Sequence, residues 1–207
     1  MNLQLPLLCA ALLMAGSASA TTANFTVTGT ITPPACTIGL SNGGAVNLGQ
    51  IDLATLSAAA ENPRPAQNVD VSIVCSAAAK IATSVTDDRA GTASAPDNAN
   101  FGLSNTSAGN AIGYYKVFAE NGVADSAPAT VIGSTDATSW ISPAGGVPVE
   151  HGNAKYTSVG DTATGPATAT TVGWTLRIEP TIASASSMAI TRVETINGQM
   201  TLTLVYL

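Results

Sequence analysis

The stretch Gln199-Met200-Thr201-Leu202-Thr203-Leu204-Val205-Tyr206-Leu207, "QMTLTLVYL", decides the fold. Read with period two, Met200, Leu202, Leu204 and Tyr206 share one face, and Thr201, Thr203, Val205 and Leu207 the other. Its β-branched and aromatic residues favour a strand over a helix. The stretch carries neither a charge nor a proline, the two devices that usually blunt an exposed sheet edge. Such a strand needs something to cover it.

Working back from it, Asn197-Gly198 separates "MAITRVETI" (188–196) from the final strand, which predicts a two-residue hairpin. "TTVGWTLRIEP" (170–180) alternates with Trp174, Leu176 and Ile178 inward and Thr175, Arg177 and Glu179 outward. "QNVDVSIVCS" (67–76) places Val69, Val71, Ile73 and Cys75 on one face, and "KIATSVTD" (80–87) follows as a separate strand. Further strands are expected at 36–40, 45–49, 111–120 and 129–133, with a weak one near Phe101–Leu103. A turn is expected at 41–44, a helical turn within 53–61, and irregular chain over 134–166 with at most short strands around Trp140 and Tyr156. No stretch predicts a substantial helix. Many short strands punctuated by Gly and Pro predict an all-β sandwich.

Toward the other end, "NFTVTGTI" (24–31) puts Phe25, Val27, Gly29 and Ile31 on one face and polar residues on the other. Pro33-Pro34 then separates this strand from the rest. Residues 1–20, an apolar run closing on Ala18-Ser19-Ala20, read as a secretory signal peptide, although it lacks a basic n-region. The expected organisation is therefore a signal peptide (1–20), an N-terminal extension (21–34) and one domain (35–207).

Net charge is −6 and only 10% of residues are charged, with the seven basic ones scattered singly. That gives no footprint for nucleic acid. Removal of Cys9 with the signal peptide leaves Cys36 and Cys75, which in an exported chain read as one disulfide in preference to two buried thiols. The single histidine, His151, has no G-x-S-x-G partner motif, and it is too few for zinc. Asp87-Asp88 lacks the calcium-loop spacing that would follow it. The chain is expected to be no enzyme and to need no metal or cofactor. Trp140, in "TDATSWISP", is weighed as a candidate ligand contact against a core role.

Taken in order, these elements resemble subunits of chaperone–usher pili over essentially the whole mature chain. They are the apolar-x-Gly-x-apolar strand Val27–Ile31, the diproline, Cys36, Leu48-Gly49, the Val/Ile strand ending at Cys75, and the alternating last strand with penultimate Tyr206. "DDRAGT" (87–92) and "GQMTLTLVYL" are closest to a fimbrial-like group of mostly unassigned function.

The resemblance implies an incomplete immunoglobulin-like (pilin) β-sandwich with an N-terminal donor-strand extension, and a structural role in a surface pilus assembled by donor-strand exchange. Phe25, Val27, Gly29 and Ile31 would form the donor strand. Leu202, Leu204 and Tyr206 would form the chaperone-binding and acceptor-groove edge. The implied partners are a periplasmic chaperone, an outer-membrane usher and neighbouring subunits. The implied route runs through the periplasm to the surface of a Gram-negative bacterium. Glu194 stands fourteenth from the C-terminus, where many pilins carry Gly. Two alternatives remain beside this reading. One is an adhesive minor subunit that uses Trp140 and the 134–166 loops to bind a glycan. The other is a self-complemented sandwich in which 24–31 pairs with its own last strand.

Overall fold

In the computed structural model, residues 22–32, 34–152 and 155–207 are described. The expected signal peptide and Pro33 lie outside them. Twelve strands follow in order: β1 Cys36–Leu40, β2 Asn62–Pro63, β3 Gln67–Asp87, β4 Phe101–Gly102, β5 Gly113–Ala124, β6 Ala127–Ser134, β7 Trp140–Ile141, β8 Val147–Val149, β9 Tyr156–Asp161, β10 Gly165–Pro166, β11 Thr168–Ile182 and β12 Met200–Tyr206. Three short helical segments interrupt this pattern among the described residues: 3-10 turns at Ser41–Gly44 and Leu53–Thr55, the latter within the expected helical turn, and one α-helical turn, α1 (Ala185–Met188). The protein is an all-β sandwich.

The two sheets share β3 and β6, the first three residues of β6 pairing with β5 and the rest with β9 and β7. The first half of β3 pairs with β1 and β11 in one sheet, and its second half pairs with β12 and β9 in the other. The sequence pattern broke this strand in two because Ala77-Ala78-Ala79 has no apolar alternation to read. The chain nonetheless runs extended through the three alanines and passes between the sheets there. β11 and β5 continue the first sheet, and β9, β6 and β7 the second.

The core follows the period-two faces. Val69, Val71, Ile73 and Cys75 from β3 pack with Val172, Trp174, Leu176 and Ile178 from β11 and with Val117 and Ala119 from β5. Each of these residues is buried while its strand neighbours are more exposed, as alternation requires, apart from the buried Gly173 between Val172 and Trp174.

The expected hairpin at Asn197-Gly198 does not form. Residues 189–199 carry no regular structure, and neither Asn197 nor Gly198 has the positive φ that a two-residue type I′ turn needs. Tertiary bonds override the local signal. The Met188 carbonyl accepts from Thr106 Oγ1 at 3.3 Å and Asn110 Nδ2 at 3.4 Å, and the Glu194 carboxylate accepts from the Ser107 amide at 3.0 Å. The Asn197 amide donates to the Leu103 carbonyl at 3.2 Å. The expected strand at 45–49 is likewise absent, although Val46 and Leu48 are half-buried and their neighbours exposed.

Contacts divide the chain into a short N-terminal unit ending at Thr32 and a second unit from Pro33 to Leu207. In the first, residues 22–32 are in no strand, because a period-two segment becomes one only when a partner completes its ladder. Phe25, Val27 and Ile31 are 91%, 81% and 102% exposed.

Candidate functional site

β1 pairs with β3 on one side only, and so does β12. Among the described residues each leaves a free edge, β1 in the first sheet and β12 in the second. Between them runs a groove of about 530 Å³. Leu40, Val46 and Leu48 form one wall, and Ile196, Met200 and Leu202 the other. The floor is core: Val69, Leu103, Tyr115, Leu176 and Ile178.

The walls show what is missing. On β1, Cys36, Ile38 and Leu40 stand opposite the buried Cys75, Ile73 and Val71, so they point inward. On β12, Met200, Leu202 and Leu204 stand opposite Asp87, Val85 and Thr83 and also point inward. Yet none of these six inward-facing residues, of which Leu40, Met200 and Leu202 line the groove, is fully buried, and Ile38 is still 36% exposed. Inward-facing apolar residues that stay half-open mark an unfilled strand position.

The sequence-derived edge residues divide. Leu202 lines the groove, and Leu204 packs half-buried against the core. Tyr206 is 47% exposed, and its hydroxyl accepts the Cys36 amide at 2.9 Å, bridging β12 to β1. Cys36 and Cys75 face each other across the β1–β3 ladder and form the expected disulfide. A structural disulfide belongs to chains that fold in an oxidising, exported compartment. No helix among the described residues is long and apolar enough to cross a membrane.

The "DDRAGT" motif organises one end of the groove. Asp87 is 6% exposed; its Oδ1 accepts the Arg89 amide at 2.9 Å and its Oδ2 the Gly102 amide at 3.0 Å. Arg89 Nε donates to the Asn197 carbonyl at 3.0 Å, so the turn holds the segment that leads into β12. Thr92 Oγ1 donates to the Arg89 carbonyl at 2.7 Å and accepts the Ser104 amide at 3.1 Å. A Cβ on Gly102 would lie 2.2 Å from that hydroxyl oxygen, so only glycine fits beneath the turn. Burial, with Asp87 and Asp88 nearby, pushes the Tyr115 phenol well above its ordinary range, so it stays neutral on the groove floor.

Sequence reasoning missed Leu103 and Tyr115 because the floor is assembled from strands that meet only in the fold. It named Leu202 but not Met200, although the same alternation places Met200 on that face. Val46 and Leu48 were also within reach, as alternating apolar residues between the "SNGG" turn and the Leu48-Gly49 pair. Trp140 is 7% exposed and packs with Ala82, Ile132 and Tyr156, so its ring presents no open face. His151 stacks edge-on against Phe101, and its Nε2 lies 3.2 Å from the Asp97 carbonyl.

The site and fold define an all-β, disulfide-bonded sandwich with, among the described residues, an apolar groove between two free strand edges. Residues 25–136, more than half of the 207-residue chain, match the family described as "Protein of unknown function (DUF1120)", and the chain belongs to that family. No curated protein matches it.

Proposed function

We propose that this chain is a non-catalytic structural subunit of a chaperone–usher surface pilus, assembled by donor-strand exchange. The observation that carries the reading is the apolar groove between the free edges of β1 and β12, with core residues at its floor. Strand addition fits such an edge: main-chain hydrogen bonds give affinity and alternate side chains give specificity, as chaperone–pilin complementation itself exemplifies.

The donor on this reading is residues 24–31 of a second copy, with Phe25, Val27 and Ile31 filling the groove and Gly29 allowing close approach of the backbones. Eight extended residues span about 26 Å and the seven of β12 about 23 Å, so the lengths agree. A donor in one copy and an acceptor in the next make a heterologous contact, which propagates into a filament. Before assembly a periplasmic chaperone would cover the same edge, and an outer-membrane usher would receive the subunit.

The test is a gel of surface extract from the native host, run in SDS with and without boiling and probed for this chain. Strand-exchanged polymers give a ladder that collapses to one band on boiling. The ladder should be lost when Phe25 and Val27 are both changed to Asp. A single monomer band in both lanes, at good expression, would reject the reading.

A further inference from the structure

Asparagine followed by glycine occurs three times in the chain, at Asn42-Gly43, Asn121-Gly122 and Asn197-Gly198. In such a pair the glycine nitrogen can attack the asparagine side-chain amide, because glycine has no Cβ to block the approach. The fold treats the three pairs differently. Gly122 is buried and pairs with Ala129, and a Cβ there would lie 2.6 Å from the Ala129 carbonyl oxygen, so this pair is locked in the sheet. Asn42 and Gly43 are exposed, but both are left-handed within a tight turn. The Asn42 carbonyl accepts only the neutral amide of Ala45, at 3.2 Å.

Asn197 and Gly198 belong to no strand or helix, are exposed and line the groove. Among the described residues, neither the Asn197 side chain nor the Gly198 N–H makes a hydrogen bond. The Asn197 carbonyl does: it accepts Arg89 Nε at 3.0 Å. That oxygen belongs to the same peptide group as the Gly198 nitrogen. When the nitrogen loses its proton, negative charge spreads onto the oxygen, where a guanidinium is already bonded. A cation placed where charge develops favours the anion. A Cβ on Gly198 would lie 2.9 Å from both Leu103 Cδ2 and Tyr115 Cε1. Packing therefore requires this glycine, whereas nothing in the fold requires the asparagine side chain.

We propose that Asn197 is a self-modification site, promoted by Arg89, that converts to a carboxylate without an enzyme. The Gly198 nitrogen gives its proton to solvent hydroxide and attacks Asn197 Cγ. The Cγ–Nδ2 bond breaks, ammonia leaves and a cyclic imide forms. Water then opens the ring, at Cγ to leave aspartate or at the main-chain carbonyl carbon to leave isoaspartate. One water is consumed, one ammonia is released and nothing is oxidised or reduced.

The product changes the groove, whose lining among the described residues holds no charged side chain. A carboxylate there is costly to cover with an apolar strand. Isoaspartate also lengthens the main chain just ahead of β12, the strand that carries Met200 and Leu202. Subunits left unfilled would thus lose the ability to accept a strand. That consequence rests on the strand-exchange reading; the reaction itself does not.

The experiment incubates the folded, disulfide-intact chain at mildly alkaline pH and follows each asparagine by peptide mass spectrometry. A gain of one mass unit should appear at Asn197 about fivefold faster than at Asn42, and more slowly still at Asn121. In urea the three sites should converge. Arg89→Gln places an amide Nε2 where the guanidinium Nε stood, so it keeps a donor and drops the charge. It should slow Asn197 about fivefold and leave Asn42 unchanged. Should Arg89→Gln not fold, loss of the Asn197 lead in urea takes its place. A rate at Asn197 no greater than at Asn42, or one that Arg89→Gln does not change, overturns the proposal. A synthetic peptide of residues 22–32 reads the consequence. Asn197→Asp should weaken its binding about tenfold and Asn197→Gln should not, with both unfolding midpoints close to that of the parent. Equal binding by the parent and Asn197→Asp overturns the effect on the groove. A peptide that fails to bind the parent counts against the strand-exchange reading, while the mass readings still decide the modification.

Discussion

The hydroxyl of Tyr206 accepts the backbone N–H of Cys36 at 2.9 Å, across 170 residues of sequence. One bond thus joins the edge strands of the two sheets at the disulfide. Tyr206→Phe removes the acceptor and keeps the ring. Cys36 is only half-buried, so water partly replaces the lost partner, and the expected cost is about 0.5–1 kcal/mol in urea unfolding. Tyr206→Ala, which also removes the ring, should cost more. Equal stability of both variants and the parent would mean that the bridge holds nothing.

The Cys36–Cys75 bond closes a loop between residues 39 apart in sequence. Chain entropy assigns such a loop roughly 4 kcal/mol of stability. The double variant Cys36→Ala, Cys75→Ala should lose on the order of 2–4 kcal/mol in denaturant titration. A midpoint unchanged by the double substitution would show that the β1–β3 ladder alone secures the first edge.

Asp87 and Asp88 are neighbours with opposite roles. Asp87 is buried and accepts two amides, whereas Asp88 is exposed and its Oδ2 accepts from Thr201 Oγ1 at 2.8 Å. Asp87→Ala leaves the Arg89 and Gly102 amides without acceptors and should cost about 2–4 kcal/mol. Asp88→Ala should stay within about 0.5 kcal/mol. Hydrogen exchange then gives a local readout. The Asp87 variant should lose protection at Gly102 and along β12, because the same turn positions Asn197. Similar behaviour of the two variants would remove Asp87 as the organiser of that end of the groove.

Period two made the strands of this protein legible wherever one face packs on the core. Val69 to Cys75, Trp174 to Ile178 and Met200 to Leu204 all point as their alternation requires. It failed where bonds from elsewhere decide the backbone. Residues 188–196 have the composition of a strand, yet Thr106, Ser107 and Asn110 hold Met188 and Glu194 in an irregular path. The groove was half legible. Its β12 wall comes from a single alternating run, but its floor comes from Leu103 and Tyr115, which no spacing connects. Trp140 had no readable partner in sequence; Ala82 and Ile132, on other strands, account for its burial.

Acid should weaken the fold through three carboxylates on irregular chain and turns. The Ser139 and Thr138 amides, donating at 2.7 and 2.8 Å, hold Asp136 well below the usual carboxylate range. The Thr170 hydroxyl and the Thr171 and Thr170 amides lower Asp125, and the Ser107 hydroxyl and amide with Arg192 lower Glu194. A carboxylate that is more acidic folded than unfolded binds its proton first in the unfolded chain. Its stabilisation is therefore complete above its unfolded value, near 4, and is lost as pH falls through its folded value. The urea midpoint should stay flat from pH 7 to about 5 and fall below about 4. Asp136→Asn keeps an oxygen that accepts the two amides but carries no titrating proton, so the acid limb should become shallower while stability at pH 7 changes less. An acid limb of unchanged slope after Asp136→Asn, Asp125→Asn and Glu194→Gln together would place the acid sensitivity elsewhere in the chain.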